Sequence, residues 1–76
     1  MFGMPREELN ELKKKYPVGT KIRLISMPQE PNPVPRGTIG TVTGIDDLGT
    51  IHMNWSNHST LGLVVGVDKF EIVTES

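Results

Sequence analysis

One stretch of the sequence, GTIGTVTGIDDLGTIHMNWSN at residues 37–57, constrains the fold more than any other. Apolar and polar residues alternate on both sides of its DDLG segment, and a period of two is typical of a strand with one buried face. Aspartate and glycine favour a turn, because the carboxylate accepts hydrogen bonds from nearby amides and glycine adopts positive φ. The stretch therefore predicts a β-hairpin of strands 38–45 and 50–55.

Three further short strands are predicted from the same alternation. Glycines at positions 40 and 44 inside the second strand indicate a bulge, a sharp bend or a close backbone approach. A small curved sheet protects its edges by curling, so we expect a mainly β protein, a five-stranded, SH3-like, partly open barrel. A single helical turn at 66–68 is expected before the last strand. The additional strands are the first, at 20–27, the fourth, with Leu61 and Leu63, and the fifth, with Phe70 and Ile72.

An amphipathic α-helix is predicted ahead of the barrel. Between Pro5 and Tyr16, Leu9 and Leu12 follow the spacing of one helical face, and Pro17 ends the segment. The chain thus divides into a helix with its stop at 1–17 and a barrel domain at 18–74. The narrow apolar stripe favours a helix docked as a cap, and a free helix that binds a partner is the alternative.

Composition excludes several classes of protein. The chain has 76 residues and no cysteine, so packing must stabilise one small core without disulfides or thiolate metal sites. The formal charge of −1 gives no overall basic excess for binding nucleic acid. No apolar run is long enough to span a membrane, and the N-terminus lacks the order of a secretory signal. We therefore expect a soluble, cytoplasmic protein that does not engage a membrane.

Several segments together resemble a known family. They are YPVGT from Tyr16, GTIGTV from Gly37, GTIH from Gly49, the single Trp55, and GVDKF from Gly66. In this order they are similar to the domain of unknown function 4314 family of bacteria, phages and mobile elements. The resemblance implies a small SH3-like fold and assigns no activity. It also implies left-handed backbone at His58, where similar sequences have glycine.

Residues that suggest catalysis or metal binding have simpler explanations. His52 and His58 lack a third ligand at metal spacing, and the aspartates fit turns better than a calcium loop. Ser59 and Thr60 lie near His58, but no third group is evident to orient this histidine as a base. We therefore predict a non-enzymatic protein with no metal and no cofactor.

The preferred interpretation is a module that binds another protein. A loop with four prolines in its first eight residues, at 28–37, cannot lie inside a sheet and is expected to face the turn at 46–49. Trp55 shares a face with Ile51 and Met53, so core packing is the favoured role for this ring, although Trp55 is kept among the candidate residues. The predicted protein-binding residues are Pro31, Pro33, Asp46, Asp47, His52 and Trp55.

Nucleic-acid binding is the alternative function. It requires a local basic patch where the end of the helix meets the first strand. Lysines at a helix C-terminus are also expected from the helix dipole alone. The identity of a partner and the oligomeric state stay open, because a small barrel can also pair through an exposed edge strand. The candidate residues are Lys13, Lys14, Lys15, Lys21, Arg23 and Arg36.

Overall fold

A computed structural model describes residues 3–74 of the chain. Five strands form one antiparallel sheet in the order β4-β3-β2-β1-β5, and this sheet is not closed. The predicted fold class is confirmed: the protein is mainly β, with five strands in a partly open arrangement and an N-terminal helix. The elements are α1 at Arg6–Lys15, β1 at Lys21–Ser26, β2 at Ile39–Ile45, β3 at Thr50–Trp55, β4 at Leu63–Val64 and β5 at Lys69–Ile72.

The fourth strand is shorter than the alternation of Leu61 and Leu63 suggests. Only Leu63 and Val64 pair with β3. The carbonyl of Leu61 instead accepts a hydrogen bond of 2.8 Å from the Trp55 indole N–H, which holds this backbone away from the ladder. The expected helical turn at 66–68 is a hydrogen-bonded turn that is not helical: the N–H groups of Val67 and Asp68 donate to the Val64 carbonyl, but Gly66 has a φ of 91°, which a right-handed helix does not allow.

The glycines of β2 have the two roles expected of glycine in a strand. Gly40 is buried, and a Cβ atom placed on it would lie 2.5 Å from the Trp55 ring. Gly44 lies where the pairing of β2 with β3 shifts register, which identifies a bulge between Val42 and Gly44. The backbone therefore approaches the tryptophan at one position and bends at the other.

The core lies on one face of the sheet. Ile22 and Leu24 of β1 alternate with exposed Lys21 and Arg23, as a two-residue period requires. Trp55, at 2% exposure, is the largest of the fully buried side chains. The buried residues are Leu12, Ile22, Leu24, Met27, Val34, Val42, Ile51, Met53, Trp55 and Leu63.

The N-terminal helix is docked on this core. Leu12 of α1 is buried, and Tyr16 packs edge-on against Phe70 of β5 with ring centroids 5.4 Å apart. Ahead of the helix, the N–H of Met4 donates a 2.9 Å hydrogen bond to the Asp47 carbonyl. Leu12 and Tyr16 of the predicted stripe thus pack on the sheet, where α1 forms a cap, while Leu9 is half-buried.

The turn after β3 confirms the left-handed backbone inferred for His58. Its φ is 71°, and it is the single non-glycine residue with positive φ within residues 3–74. The Asn57 side chain accepts a hydrogen bond from the Ser59 N–H, and the His58 N–H donates to the Trp55 carbonyl. Histidine is among the residues that tolerate this conformation better than most, so the turn forms without glycine.

Candidate functional site

The acidic turn at residues 46–49 is organised by one carboxylate. Asp46 Oδ1 accepts hydrogen bonds from the N–H groups of Leu48 and Thr50, each at 3.0 Å. Its Oδ2 lies 3.0 Å from Nε2 of His52, on the exposed face of β3. The structure therefore brings together two of the predicted site residues, Asp46 and His52, while Asp47 is exposed beside them.

These contacts shift the acidity of Asp46. The hydrogen bond from the Thr50 N–H is the largest influence and lowers the pKa of Asp46 below its ordinary value of 3.8. The His52 side chain and the Leu48 N–H lower the pKa further, and partial desolvation opposes them. The ionised carboxylate is thus the form that the folded turn favours.

We expect Asp46→Ala to lower the melting temperature at neutral pH. Because the folded pKa of Asp46 is depressed, its stabilisation is present above the unfolded pKa and is lost as pH falls through the folded pKa. The difference in melting temperature between wild type and variant should be constant above about pH 5 and shrink below about pH 4. Thermal unfolding followed by circular dichroism across this range measures the difference.

Asp47→Ala is the matched control, because the Asp47 carboxylate accepts no hydrogen bond within the described part of the chain. Its melting temperature should follow the wild-type pH dependence. An Asp46→Ala deficit of equal size at about pH 3 and about pH 7 would contradict a role of the ionised carboxylate.

Trp55 is not part of an exposed site. With 2% exposure and its ring against Gly40, it cannot contact a partner without unfolding of β3. Its shared face with Ile51 and Met53 agrees with the favoured role in core packing, and both neighbours are buried as well. We therefore exclude Trp55 from the candidate protein-binding residues.

The proline loop, residues 28–37, is held at both ends and exposed between them. Met27 and Val34 are buried in the core, while Pro31 and Pro33 are exposed. The Thr38 hydroxyl and N–H both donate to the Pro35 carbonyl, which fixes the return to β2. The loop therefore presents its prolines on a backbone whose φ angles the proline rings restrict.

Two concavities flank β4. The smaller one, here called the loop pocket, has a volume of about 140 Å³ and lies between the proline loop and the connection from β4 to β5. The larger one, here called the helix groove, has a volume of about 800 Å³ and lies against α1. The N–H of Met4, in the wall of the helix groove, donates to the Asp47 carbonyl, which links the acidic turn to this groove, whereas Gln29 and Glu30 of the proline loop line the loop pocket.

Adjacent valines connect the two concavities. Val64 lines the loop pocket and Val65 lines the helix groove, with 45% and 48% of their surfaces exposed. Sequence reasoning missed both residues. A signal was available in the Val64-Val65 pair, because consecutive apolar residues on a short strand cannot both point into one core.

Acidic side chains dominate the rims. The helix groove carries Lys14 and Lys15 against three glutamates, and Lys14 lies 3.7 Å from Glu11. The loop pocket carries two acids and no base among its described lining residues. The acids are Glu7, Glu8 and Glu11 in the groove, and Glu30 and Asp68 in the pocket.

The six basic residues predicted for nucleic acid lie on three parts of the fold: α1, β1 and the proline loop. Lys21 and Arg23 point away from the core, whereas α1, with Lys13, Lys14 and Lys15, packs on the core side through Leu12. Partners already engage several of these charges. Arg23 pairs with Glu71 at 2.9 Å and Lys21 bonds to Thr41 at 2.7 Å, while Arg36 is exposed in the proline loop.

Residues 3–74 contain no group of three or more His, Cys, Asp or Glu side chains placed to hold a metal ion. Within the same residues, α1 is the single helix, and it is too short and too polar to cross a bilayer.

The protein is a small, mainly β domain. Its open five-stranded antiparallel sheet carries a docked N-terminal helix and two concavities beside β4. The chain belongs to the family described as Domain of unknown function (DUF4314), whose model matches residues 5–73. The match confirms the resemblance seen from Tyr16 onward and extends it over α1. No curated protein and no solved structure matches the chain.

Proposed function

We propose that this protein is a non-enzymatic binding module whose partner is another protein. The observation that carries the proposal is the pair of concavities joined by Val64 and Val65, because the helix groove offers a mostly apolar surface beside Val65 and the loop pocket a mixed polar and apolar one beside Val64. A partner segment that crosses β4 places one apolar side chain in each concavity. Interfaces of this kind take their energy from a few buried apolar anchors.

The charge around the concavities favours one kind of partner. Five acidic side chains line the two rims, against Lys14 and Lys15. Nucleic acid is repelled from such a surface, since each phosphate carries a negative charge. A protein segment with lysine or arginine beside its apolar residues is complementary to it.

The proline loop and the acidic turn are the two sides of this surface. The loop lines the loop pocket through Gln29 and Glu30, and its prolines restrict the backbone before a partner arrives, which lowers the conformational entropy lost on binding. The acidic turn adjoins the helix groove through the hydrogen bond from Met4 to Asp47. Pro31, Pro33, Asp46, Asp47 and His52 are thus proposed at the margin of the interface, with the valines at its centre.

A random peptide library displayed on phage tests the proposal. Selection on the immobilised protein should enrich peptides that combine apolar residues with lysine or arginine. Val65→Asp places a buried charge opposite the apolar side chain of the peptide, so we expect its affinity for the enriched peptides to fall about tenfold or more. Isothermal titration calorimetry measures the affinities.

Val18→Asp is the matched control, because it introduces the same charge at a valine with 72% exposure that lines neither concavity. It should bind the enriched peptides as wild type does. Equal binding by Val65→Asp would contradict the proposed site. Salt-sensitive binding of DNA or RNA oligonucleotides, with no peptide enriched, would contradict the proposed class of partner.

A bacterial, phage or mobile-element origin and a cytoplasmic location remain predictions from the sequence. Both predictions agree with a small module that binds other proteins. Imaging a fluorescent fusion in the source organism tests the cytoplasmic location.

A further inference from the structure

The two edges of the sheet differ in how their backbone groups are satisfied. At the β4 edge, the Val64 N–H donates to the Asp68 carboxylate at 2.9 Å, and the Val64 carbonyl accepts from the N–H groups of Val67 and Asp68. An additional strand would find these groups occupied. The chain therefore closes this edge with its own turn.

At the β5 edge, no residue within 3–74 bonds to the outward backbone groups. The Val73 N–H donates to the Lys21 carbonyl, and Ile72 and Glu71 lie opposite the next two residues of β1. Hydrogen-bonded pairs alternate with non-bonded pairs along antiparallel strands. Glu71 and Val73 therefore bond to β1, while the N–H and C=O groups of Phe70 and Ile72 point outward.

The other side of β1 confirms this alternation. The Leu24 N–H donates to the Thr38 carbonyl, and the Val42 N–H donates to the Thr20 carbonyl, so even-numbered residues there bond toward β2. Odd-numbered residues of β1 are left to bond β5. The direction of each amide at the edge thus follows from the hydrogen bonds of two neighbouring ladders.

The side chains of β5 carry opposite charges in a self-complementary order. Lys69 and Glu71 stand on the same face, on either side of Phe70, because side chains alternate along a strand. Glu71 is held by its 2.9 Å ion pair with Arg23. If a second β5 lies antiparallel about an axis at Phe70, Lys69 of each copy faces Glu71 of the other.

We propose that β5 pairs with β5 of a second copy of this chain. Phe70 lies on the two-fold axis and exchanges both backbone hydrogen bonds with its counterpart, as its outward groups allow. The two contacts between Lys69 and Glu71 then fall at non-bonded positions, where side chains of facing strands lie closest. The result is one continuous ten-stranded sheet, on a surface distinct from the helix groove and the loop pocket.

This association is expected to depend on concentration. β5 has four residues, and an interface of that length is small, so the dimer should dissociate on the order of 100 μM. Ile72, 40% exposed at this edge, becomes covered in the dimer and adds apolar area to the hydrogen bonds. Salt should weaken the pairing, since its ion pairs lie near solvent.

Two charge reversals test the pairing. Lys69→Glu leaves glutamate at both position 69 and position 71, and Glu71→Lys leaves lysine at both. In a homodimer of either variant, the two cross-strand contacts between these positions therefore join like charges. We expect each variant alone to associate about tenfold or more weakly than wild type. An equimolar mixture should restore dimers, because every cross-strand contact between the two variants joins opposite charges. Sedimentation equilibrium and native mass spectrometry measure the species.

Every outcome bears on the proposal. Heterodimers in the mixture, with both variants monomeric alone and retaining the wild-type circular dichroism spectrum, support it. A wild type that stays monomeric to about 1 mM overturns it. Dimerisation that neither reversal weakens, or a mixture with no excess of heterodimer, also overturns it, since another surface would then join the copies.

Discussion

Gly40→Ala should lower the free energy of unfolding by about 3 kcal/mol. The added Cβ atom would lie 2.5 Å from Cε3 and 2.8 Å from Cδ2 of Trp55, and 2.9 Å from Cε of Met53. The indole is buried and its N–H is bonded to Leu61, so the ring cannot move aside without breaking that contact. Urea unfolding followed by the fluorescence of the single tryptophan measures the loss.

A loss of that size is large for a small domain, whose total stability is on the order of 5–10 kcal/mol. Gly44→Ala is the matched control on the same strand, because a Cβ atom there meets no neighbouring atom within 4 Å. We expect this change to stay within about 0.5 kcal/mol of wild type. Equal losses of unfolding free energy in the two variants would show that general strand flexibility, and not contact with the Trp55 ring, explains the effect of Gly40→Ala.

Trp55→Ala should have a still larger effect, a loss of about 3–5 kcal/mol. The substitution removes the largest fully buried side chain and leaves a cavity beside Gly40. It also deprives the Leu61 carbonyl of the indole N–H donor at 2.8 Å, which frees the segment before β4. Since the fluorophore is lost, urea unfolding followed by circular dichroism is the appropriate measurement.

Trp55→Phe separates the two causes. It keeps an aromatic ring in the core and removes the indole N–H, so we expect a loss of about 1–3 kcal/mol. Wild-type stability of Trp55→Ala would contradict the core role of this residue. It would also restore Trp55 as a candidate contact for the protein partner.

The regular parts of the fold could be predicted because local patterns determine them. Alternation around Ile22 and Leu24 fixes which face of β1 is buried, and the DDLG segment fixes the position of the hairpin. Pro17 ends the helix, and the glycines of β2 indicate where the backbone bends or approaches a neighbour. These signals act over a few residues, so no knowledge of distant contacts is needed to interpret them.

The candidate site could be predicted only in part. The link between Asp46 and His52 joins a turn to the adjacent strand, and both are among the residues predicted from the sequence. Trp55 is also among the predicted site residues, but its alternation with Ile51 and Met53 already favours core packing, and its face on β3 is the core face. The concavities beside β4 depend on where α1 and the proline loop pack, and neither position follows from local pattern.

What the sequence by itself determined is the set of elements, their order and the buried face of each strand, because strand periodicity and turn chemistry are local properties. Only the tertiary structure decided that α1 docks through Leu12, that Val64 and Val65 line two concavities, and that the lysines of α1 and of β1 lie on different sides of the sheet. It also decided which edge is closed, since the hydrogen bond from Val64 to Asp68 forms only after the chain turns. These features arise from contacts between elements, whose geometry depends on the packing of the whole core.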